Sequence, residues 1–298
     1  MGRPKRVRGP LLPLEVELHN SLDLSERTRA AYAESFHRFT QFAGTDPSNW
    51  TRQSVDAWLR RLLREEGLLP QTVRVHRKAL RQISALWARK FNGEDFAANA
   101  DKVKVSDPVR KEILTNDEIE KLLATCDSSI EGVRDYALLV TVWRTAMRSG
   151  GLQTLTFERL KPPSITILLK GGNAHTFTAD EDTWRGLNPW LKILRANGIT
   201  RGFVFRRIGP QAAIGEAALT GYQIWGVIKA RAAAAGVRDI HPHLFRHTTI
   251  TRLREAGVAT SDISALTGQK ERTIEDIYSH MRTTKPVSAA MPSLGRRR

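Results

Sequence analysis

From His241 to Ile250 the chain reads HPHLFRHTTI, placing three histidines and an arginine within seven residues. His243 and His247 are four apart, so a helix would carry both on one face, the spacing of the paired imidazoles in H-E-x-x-H zinc sites. The glutamate position of that pattern holds Leu244, and Arg246 lies between the histidines. A guanidinium is always a cation and repels a metal ion. No Cys, Asp or Glu falls within the stretch to complete a ligand set. A phosphate suits these residues better, because arginine offers fixed donors to anionic oxygens and imidazoles can move protons. The same ten residues are also consistent with a polar helix start facing solvent, so their meaning depends on the rest of the chain.

The chain has 298 residues, enough for one or two domains with a sizeable core. Its 41% hydrophobic and 26% charged content is that of a soluble globular protein. The net charge of +16 is not ordinary and calls for a polyanionic partner, with nucleic acid first and an anionic membrane surface second. No apolar run is long enough to span a bilayer, and the opening MGRPKRVRGPLLPLE lacks an apolar signal core. A cytoplasmic, nucleoid-associated protein is therefore expected, with no membrane partner. The single cysteine, Cys126, excludes an internal disulfide and fits a reducing compartment. Arg3, Lys5, Arg6, Arg8 and Arg296 to Arg298 account for only seven of the positive charges, so the body of the chain is basic too.

Several elements could position such residues. Residues 1–13 read as a flexible basic arm, with Pro4, Pro10 and Pro13 blocking helix. From 14 to 92 the pattern is helical. Ser25 precedes Tyr32, Phe36, Phe39 and Phe42 at helical spacing, and Thr51 caps a helix carrying Val55, Trp58, Leu59 and Leu62. Pro70 opens a longer helix with Val73, His76, Leu80, Ile83 and Trp87 on its apolar side. Arg74, Arg77, Lys78 and Arg81 cluster away from that side, and four positive charges on one face suit a DNA backbone. Residues 93–112 hold few large apolar side chains and read as a linker. In the next domain, 113–285, Thr115 and Glu118 form a capping box. An apolar helix then runs through YALLVTVWRTAMR, and SITILLKGGNAHTFTA reads as a β-hairpin with Lys170 at its turn. Residues 286–298 are a basic tail. The expected fold is mainly α, with an α+β second domain containing a small β-sheet or hairpin.

Four segments, TAMRSGGL (145–152), LLKGGN (168–173), HPHLFRHT (241–248) and LTGQKERTIEDIYSH (266–280), resemble the tyrosine recombinase, or phage integrase, family in order and rough spacing. Ser25, Thr28 and Tyr32 resemble a pattern in that family's helical core-binding domain. The resemblance covers nearly the whole chain beyond the first dozen residues and is closest to the Xer-like and Cre-like members, which lack an arm-binding domain.

The resemblance implies a site. Arg148 and Arg246 match the two arginines that hold the nonbridging oxygens of a scissile phosphate, where nucleophilic attack develops a second negative charge. Tyr278 matches the nucleophile, whose attack leaves a 3′-phosphotyrosyl link and a free 5′-hydroxyl. A phenol titrates near pH 10, so a base must assist, and His243 matches that base. Lys170 matches the hairpin lysine that protonates the leaving oxygen. His247 matches a supporting histidine. Two positions depart from the family pattern. Gly151 stands where an acidic residue is usual, and Gln269 where a second histidine or a tryptophan is usual. A glutamine amide can still donate to a phosphate oxygen but cannot change protonation state.

The resemblance further implies a C-shaped, two-domain clamp on double-stranded DNA with an inverted-repeat core site. A homotetramer on two such sites would act through a Holliday junction, with a possible accessory DNA-bending protein. The linkage conserves phosphodiester energy, so no cofactor, ATP or metal is expected. Two alternatives share the composition: a non-catalytic DNA-binding relative and a type IB topoisomerase-like enzyme.

Overall fold

The computed structural model describes residues 12–21, 24–104, 112–169 and 171–278, with only the backbone described for Ile277 and Tyr278. The chain forms two compact units, 1–110 and 111–298. Each of them is mainly helical, and the described strands all lie in the second.

The first unit contains α1 (Pro13–His19), α2 (Glu26–Ala43), α3 (Arg52–Arg64) and α4 (Pro70–Phe91). The helix starts are written in the side chains: Ser25 accepts from the Thr28 N–H, and Thr51 and Ser54 form a reciprocal cap. Pro13, expected to block helix, instead occupies the first turn of α1, where its missing N–H has no intrahelical acceptor to lose. The core is aromatic. Phe36, Phe39 and Trp58 are fully buried, Phe36 meets Trp50 edge-on at 5.2 Å, and Phe39 stacks on Phe96 at 6.0 Å. Phe96, Ala97 and Ala100 belong to that core, so this part of the expected linker is folded onto the helices. The Asp101 N–H donates to buried Asp56 and the Ala97 N–H to Ser84. Phe42, read with the apolar series of α2, is 37% exposed.

The second unit begins with α5 (Asn116–Ala124), capped by Thr115 and Glu118 as expected, then α6 (Ile130–Thr145) and the short α7 (Ser149–Gln153). Strands β1 (Leu160–Lys161), β2 (Ser164–Leu168) and β3 (Ala174–Thr178) form an antiparallel sheet in that order. Ile167 pairs with His175 and Leu168 with Ala174, which fixes the expected hairpin. Ile165, Ile167 and Phe177 point into the core. Helix α8 (Glu181–Ala196) packs along α6 so closely that a Cβ on Gly186 would lie 2.5 Å from Val140 Cγ1. A two-stranded ribbon, β4 (Arg206–Ile208) and β5 (Ile214–Ala218), leads to α9 (Gly221–Ala234), α10 (Pro242–Glu255), α11 (Thr260–Thr267) and α12 (Glu271–Tyr278). Tyr32 is buried as expected. Tyr136, also read as core, is 38% exposed, because α6 leaves that position at the surface.

Candidate active site

Helix α6 is closed by Ala146, the residue after its last turn, whose backbone is left-handed (φ 51°, ψ 25°) although it is not glycine. That geometry costs about 1–2 kcal/mol for a residue with a Cβ, and here it turns the chain into Met147 and Arg148. The Ala146 carbonyl accepts a 2.6 Å hydrogen bond from Arg246 Nη1.

Arg246 lies on α10 and is 6% exposed. Besides Ala146, its guanidinium donates to the Thr267 carbonyl at 3.3 Å and to Gln269 Oε1 at 2.7 Å. One side chain therefore joins three segments: the turn leading to Arg148, the C-terminal end of α11, and the residues just before α12. The Gln269 amide oxygen is committed to Arg246, so its NH₂ group is left as the donor. His243 and His247 stand on α10 one turn apart, His243 exposed and His247 half-buried, and Pro242 opens that helix at its first position. A small apolar cluster of Ala146, Ile250, Ile263 and Ile274 holds α10, α11, α12 and the end of α6 together beneath these polar groups. Tyr278 is the last residue of α12, one turn after buried Ile274.

Lys170 lies outside the described residues. Its surroundings form a tight turn, with the Leu169 N–H bonded to the Asn173 carbonyl at 2.9 Å and positive φ at Gly171 and Gly172. The hairpin rests on Gly268, which caps α11 in the left-handed conformation (φ 63°). A Cβ there would come within 2.9 Å of Leu169 Cδ2 and 3.1 Å of His175 Cδ2. Gly268→Ala is accordingly expected to push the hairpin off its seat as well as strain the cap. If the hairpin carries the expected lysine of the reaction, strand cleavage should fall about ten-fold or more while DNA affinity changes little. Single-turnover cleavage beside a binding titration checks this, and equal losses in both would count against the seat.

Arg148 is exposed, and its guanidinium has no hydrogen-bond or ion-pair partner among the described residues. Nearby protein displaces enough water that burial pushes its pKa down, yet a guanidinium remains a cation at any working pH.

The basic face on α4 is present in the first unit. Arg74, Lys78 and Arg81 are exposed and, with Arg77 and Lys102, line a groove of about 970 Å³. Arg77 is partly committed: its Nε and Nη2 donate to the Ala100 carbonyl at 3.2 and 2.7 Å. Burial, and then the neighbouring Arg81 charge, pull its pKa down. Arg77 therefore fastens the 94–103 segment to α4 as well as adding charge to the groove. His76 is packed, its Nδ1 3.0 Å from Ser35 Oγ and its ring edge-on to Trp58.

Residues 112–285 match the model of the phage integrase family. The chain belongs to that family. Similar curated proteins include the tyrosine recombinase XerC of Pseudomonas putida, 23% identical over 281 residues, covering 89% of this chain and 88% of that protein. The tyrosine recombinase XerD of Listeria innocua is 26% identical over 272 residues, covering 87% and 89%. Among solved structures, the Tn1549 transposon integrase in complex with circular intermediate DNA has a TM-score of 0.71 at 17% identity, covering 94% of this chain and 98% of that one. The XerH site-specific recombinase bound to its difH substrate, a pre-cleavage complex, has a TM-score of 0.68 at 19% identity, covering 93% and 82%. These structures share the fold.

Within this member of the family, the departure at Gly151 has a packing cause. A Cβ on Gly151 would sit 2.7 Å from Met147 Cγ and 3.2 Å from its sulfur, so the thioether fills the space a carboxylate side chain would need. Sequence reasoning missed Met147, Leu169 and Gly268. Only Gly268 carried a signal, as a glycine just past an apolar helix, where a left-handed cap is usual.

Proposed function

We propose that this protein is a site-specific DNA recombinase that cuts and rejoins duplex DNA through a 3′-phosphotyrosyl link to Tyr278. The Tyr278 oxygen attacks the scissile phosphorus as the bond to the 5′-oxygen breaks. His243 takes the phenolic proton, and Lys170 gives one to the departing 5′-hydroxyl. Arg148 and Arg246 hold the nonbridging oxygens where the second negative charge develops, the Gln269 NH₂ adds a neutral donor, and His247 supports the cluster. Rejoining reverses these steps with a 5′-hydroxyl from the partner duplex, and two rounds pass through a Holliday junction. The bond energy is retained in the phosphotyrosine, so no ATP or metal takes part. The Arg74, Arg77, Lys78 and Arg81 face grips the DNA backbone. The working form is a homotetramer on two inverted-repeat sites, assisted where needed by a DNA-bending protein, in the cytoplasm beside the nucleoid. No described helix is long and apolar enough to cross a membrane.

The observation that carries this reading is the Arg246 guanidinium. It ties the turn bearing Arg148 to the Gln269 segment that leads into the Tyr278 helix, within a chain of the phage integrase family. The test is incubation with DNA flanking the protein's own gene, followed by denaturation in SDS. The expected result is a protein–DNA adduct with a free 5′-hydroxyl that is lost in Tyr278→Phe. Tight binding without any adduct, even on nicked duplexes that trap the intermediate, would establish a non-catalytic DNA-binding protein. Relaxation of any supercoiled plasmid without site preference would point to topoisomerase-like action. Binding should also weaken steeply with salt, by about 10³-fold or more between 50 and 200 mM if six or more phosphates are neutralised. A flat salt dependence would remove the backbone grip.

A further inference from the structure

The hairpin that rests on Gly268 carries a histidine that the reaction described above does not use. His175 lies on β3 directly opposite Ile167, so the two side chains stand on the same face of the sheet. Its ring stacks on Phe177 with centroids 6.0 Å apart. Its Cδ2 would lie 3.1 Å from a Cβ on Gly268, the residue before Gln269. Ile167 Cδ1 would lie 3.7 Å from a Cβ on Gly151, on the helix that Arg148 caps. This face of the hairpin therefore adjoins both segments at which the chain departs from the family pattern.

The His175 side chain is half-buried, but its Nε2 is shut away from water and has no hydrogen-bond partner among the described residues. An unpaired ring nitrogen out of water costs free energy, and such atoms are rare in native structures. Packing against Phe177 and Gly268 does not require it, since a leucine or phenylalanine would pack there without a polar atom to satisfy. The nitrogen calls for a partner in another state of the site.

Gln269 supplies one. Arg246 Nη1 serves the Ala146 and Thr267 carbonyls, and Nη2 serves the Thr267 carbonyl and Gln269 Oε1. Both of its amino groups are thus occupied, and a phosphate oxygen that approaches them must displace an acceptor. Ala146 closes α6 and Thr267 ends α11, so the two carbonyls are fixed by the fold. Gln269 Oε1 belongs to a side chain and can turn away. Once released it is a buried oxygen in need of a donor, and an imidazole with its proton on Nε2 is a neutral donor.

We propose that His175 is a positioning residue for strand cleavage. When the scissile phosphate engages Arg246, Gln269 Oε1 passes from the guanidinium to His175 Nε2–H, and the Gln269 NH₂ is held toward the phosphate. The imidazole acts through Gln269 and does not touch DNA. The inference rests on the DNA-recombinase reading above.

The test is single-turnover cleavage of nicked duplexes from the DNA flanking the protein's own gene, beside a binding titration and thermal unfolding. His175→Phe and His175→Leu keep an apolar side chain without the donor. Both should cleave about five- to ten-fold more slowly, the effect of losing one neutral hydrogen bond. They should bind the duplex as wild type does and melt no lower, because each removes a buried unpaired nitrogen. His175→Gln returns an N–H close to the place of Nε2 and should recover most of the rate. In a Gln269→Ala background, His175→Phe should cause no further loss, since its only route to the phosphate is already gone. If the wild type forms no adduct on any nicked duplex, the recombinase reading fails and this inference falls with it. If the wild type cleaves and His175→Phe and His175→Leu cleave equally fast, only the inference is overturned. Losses that multiply in the double variant, or that follow the melting temperature and are not recovered by His175→Gln, would also overturn it and leave His175 a packing residue.

Discussion

Arg246→Ala will lose both stability and strand cleavage, whereas Arg148→Ala will lose cleavage alone. The two arginines are expected to hold the same phosphate, but the protein holds them differently. Arg246 is buried and bonded to two main-chain carbonyls and to Gln269. Truncating it strips the donors from those groups, and hydrogen bonds to a charged group are worth about 1.5–3 kcal/mol each. Some of that is recovered by water entering the space, so a net destabilisation on the order of 3 kcal/mol is expected. Arg148 is exposed and its guanidinium has no described partner, so its truncation should change stability by no more than about 0.5 kcal/mol. Cleavage should fall by about 10²-fold or more in both, the usual effect of removing a donor from a developing oxyanion. Arg246→Lys should recover part of the stability but little of the chemistry, because one ammonium cannot span the sites that a planar fork reaches. Thermal unfolding and single-turnover cleavage of a nicked duplex separate these effects. An Arg246→Ala protein that melts like the wild type would show that its bonds do not hold the site together. An Arg148→Ala protein that unfolds early would show that its guanidinium is structural.

The same pair shows what the sequence could and could not disclose. The arginines were singled out by the resemblance to the family, and the helix starts at Ser25, Thr51 and Thr115 were legible because there a side chain does the capping. The two main-chain partners of Arg246 were not. They lie 100 and 21 residues away and are carbonyl oxygens, which every residue possesses, so no residue type marks them. Met147 was invisible for a related reason, since a thioether filling the volume beside Gly151 is a fact of three-dimensional packing. Tyr136 was misplaced because α6 is buried around most of its circumference. An apolar run of that kind has no phase from which to pick out a wet position such as Tyr136. The 93–112 stretch was read as linker because alanine carries little weight as a core residue, yet Ala97 and Ala100 are buried beside Phe96.

Asp135→Ala should destabilise the second unit by about 3–5 kcal/mol, the range for removing one partner from a buried charge cluster. Asp135 is 5% exposed on α6 and lies between two arginines. Arg134 donates to one carboxylate oxygen at 2.9 and 2.7 Å, and Arg231 of α9 donates to the other at the same two distances. Arg231 also donates to the Thr125 carbonyl at the end of α5. Burial works against the Arg231 charge, but hydrogen bonding and attraction from Asp135 outweigh it and raise its pKa. Without the carboxylate, two guanidinium groups would face each other out of water with no anion between them. Asp135→Asn should be nearly as damaging, since the shape survives but the charge does not. Pairing Asp135→Ala with Arg231→Met should recover part of the loss, because the second change removes a cation that the first leaves uncompensated. Urea unfolding of the four proteins measures the coupling, and simple additivity would show that the carboxylate does not act as their counter-ion. The cluster joins α5, α6 and α9, and α6 is the helix whose C-terminal end leads to Arg148. Well below their unfolding temperature, destabilised variants that stay folded should still cleave DNA at near wild-type rates. A cleavage defect in fully folded Asp135→Asn would mean that the cluster positions α6 for catalysis as well as holding the fold.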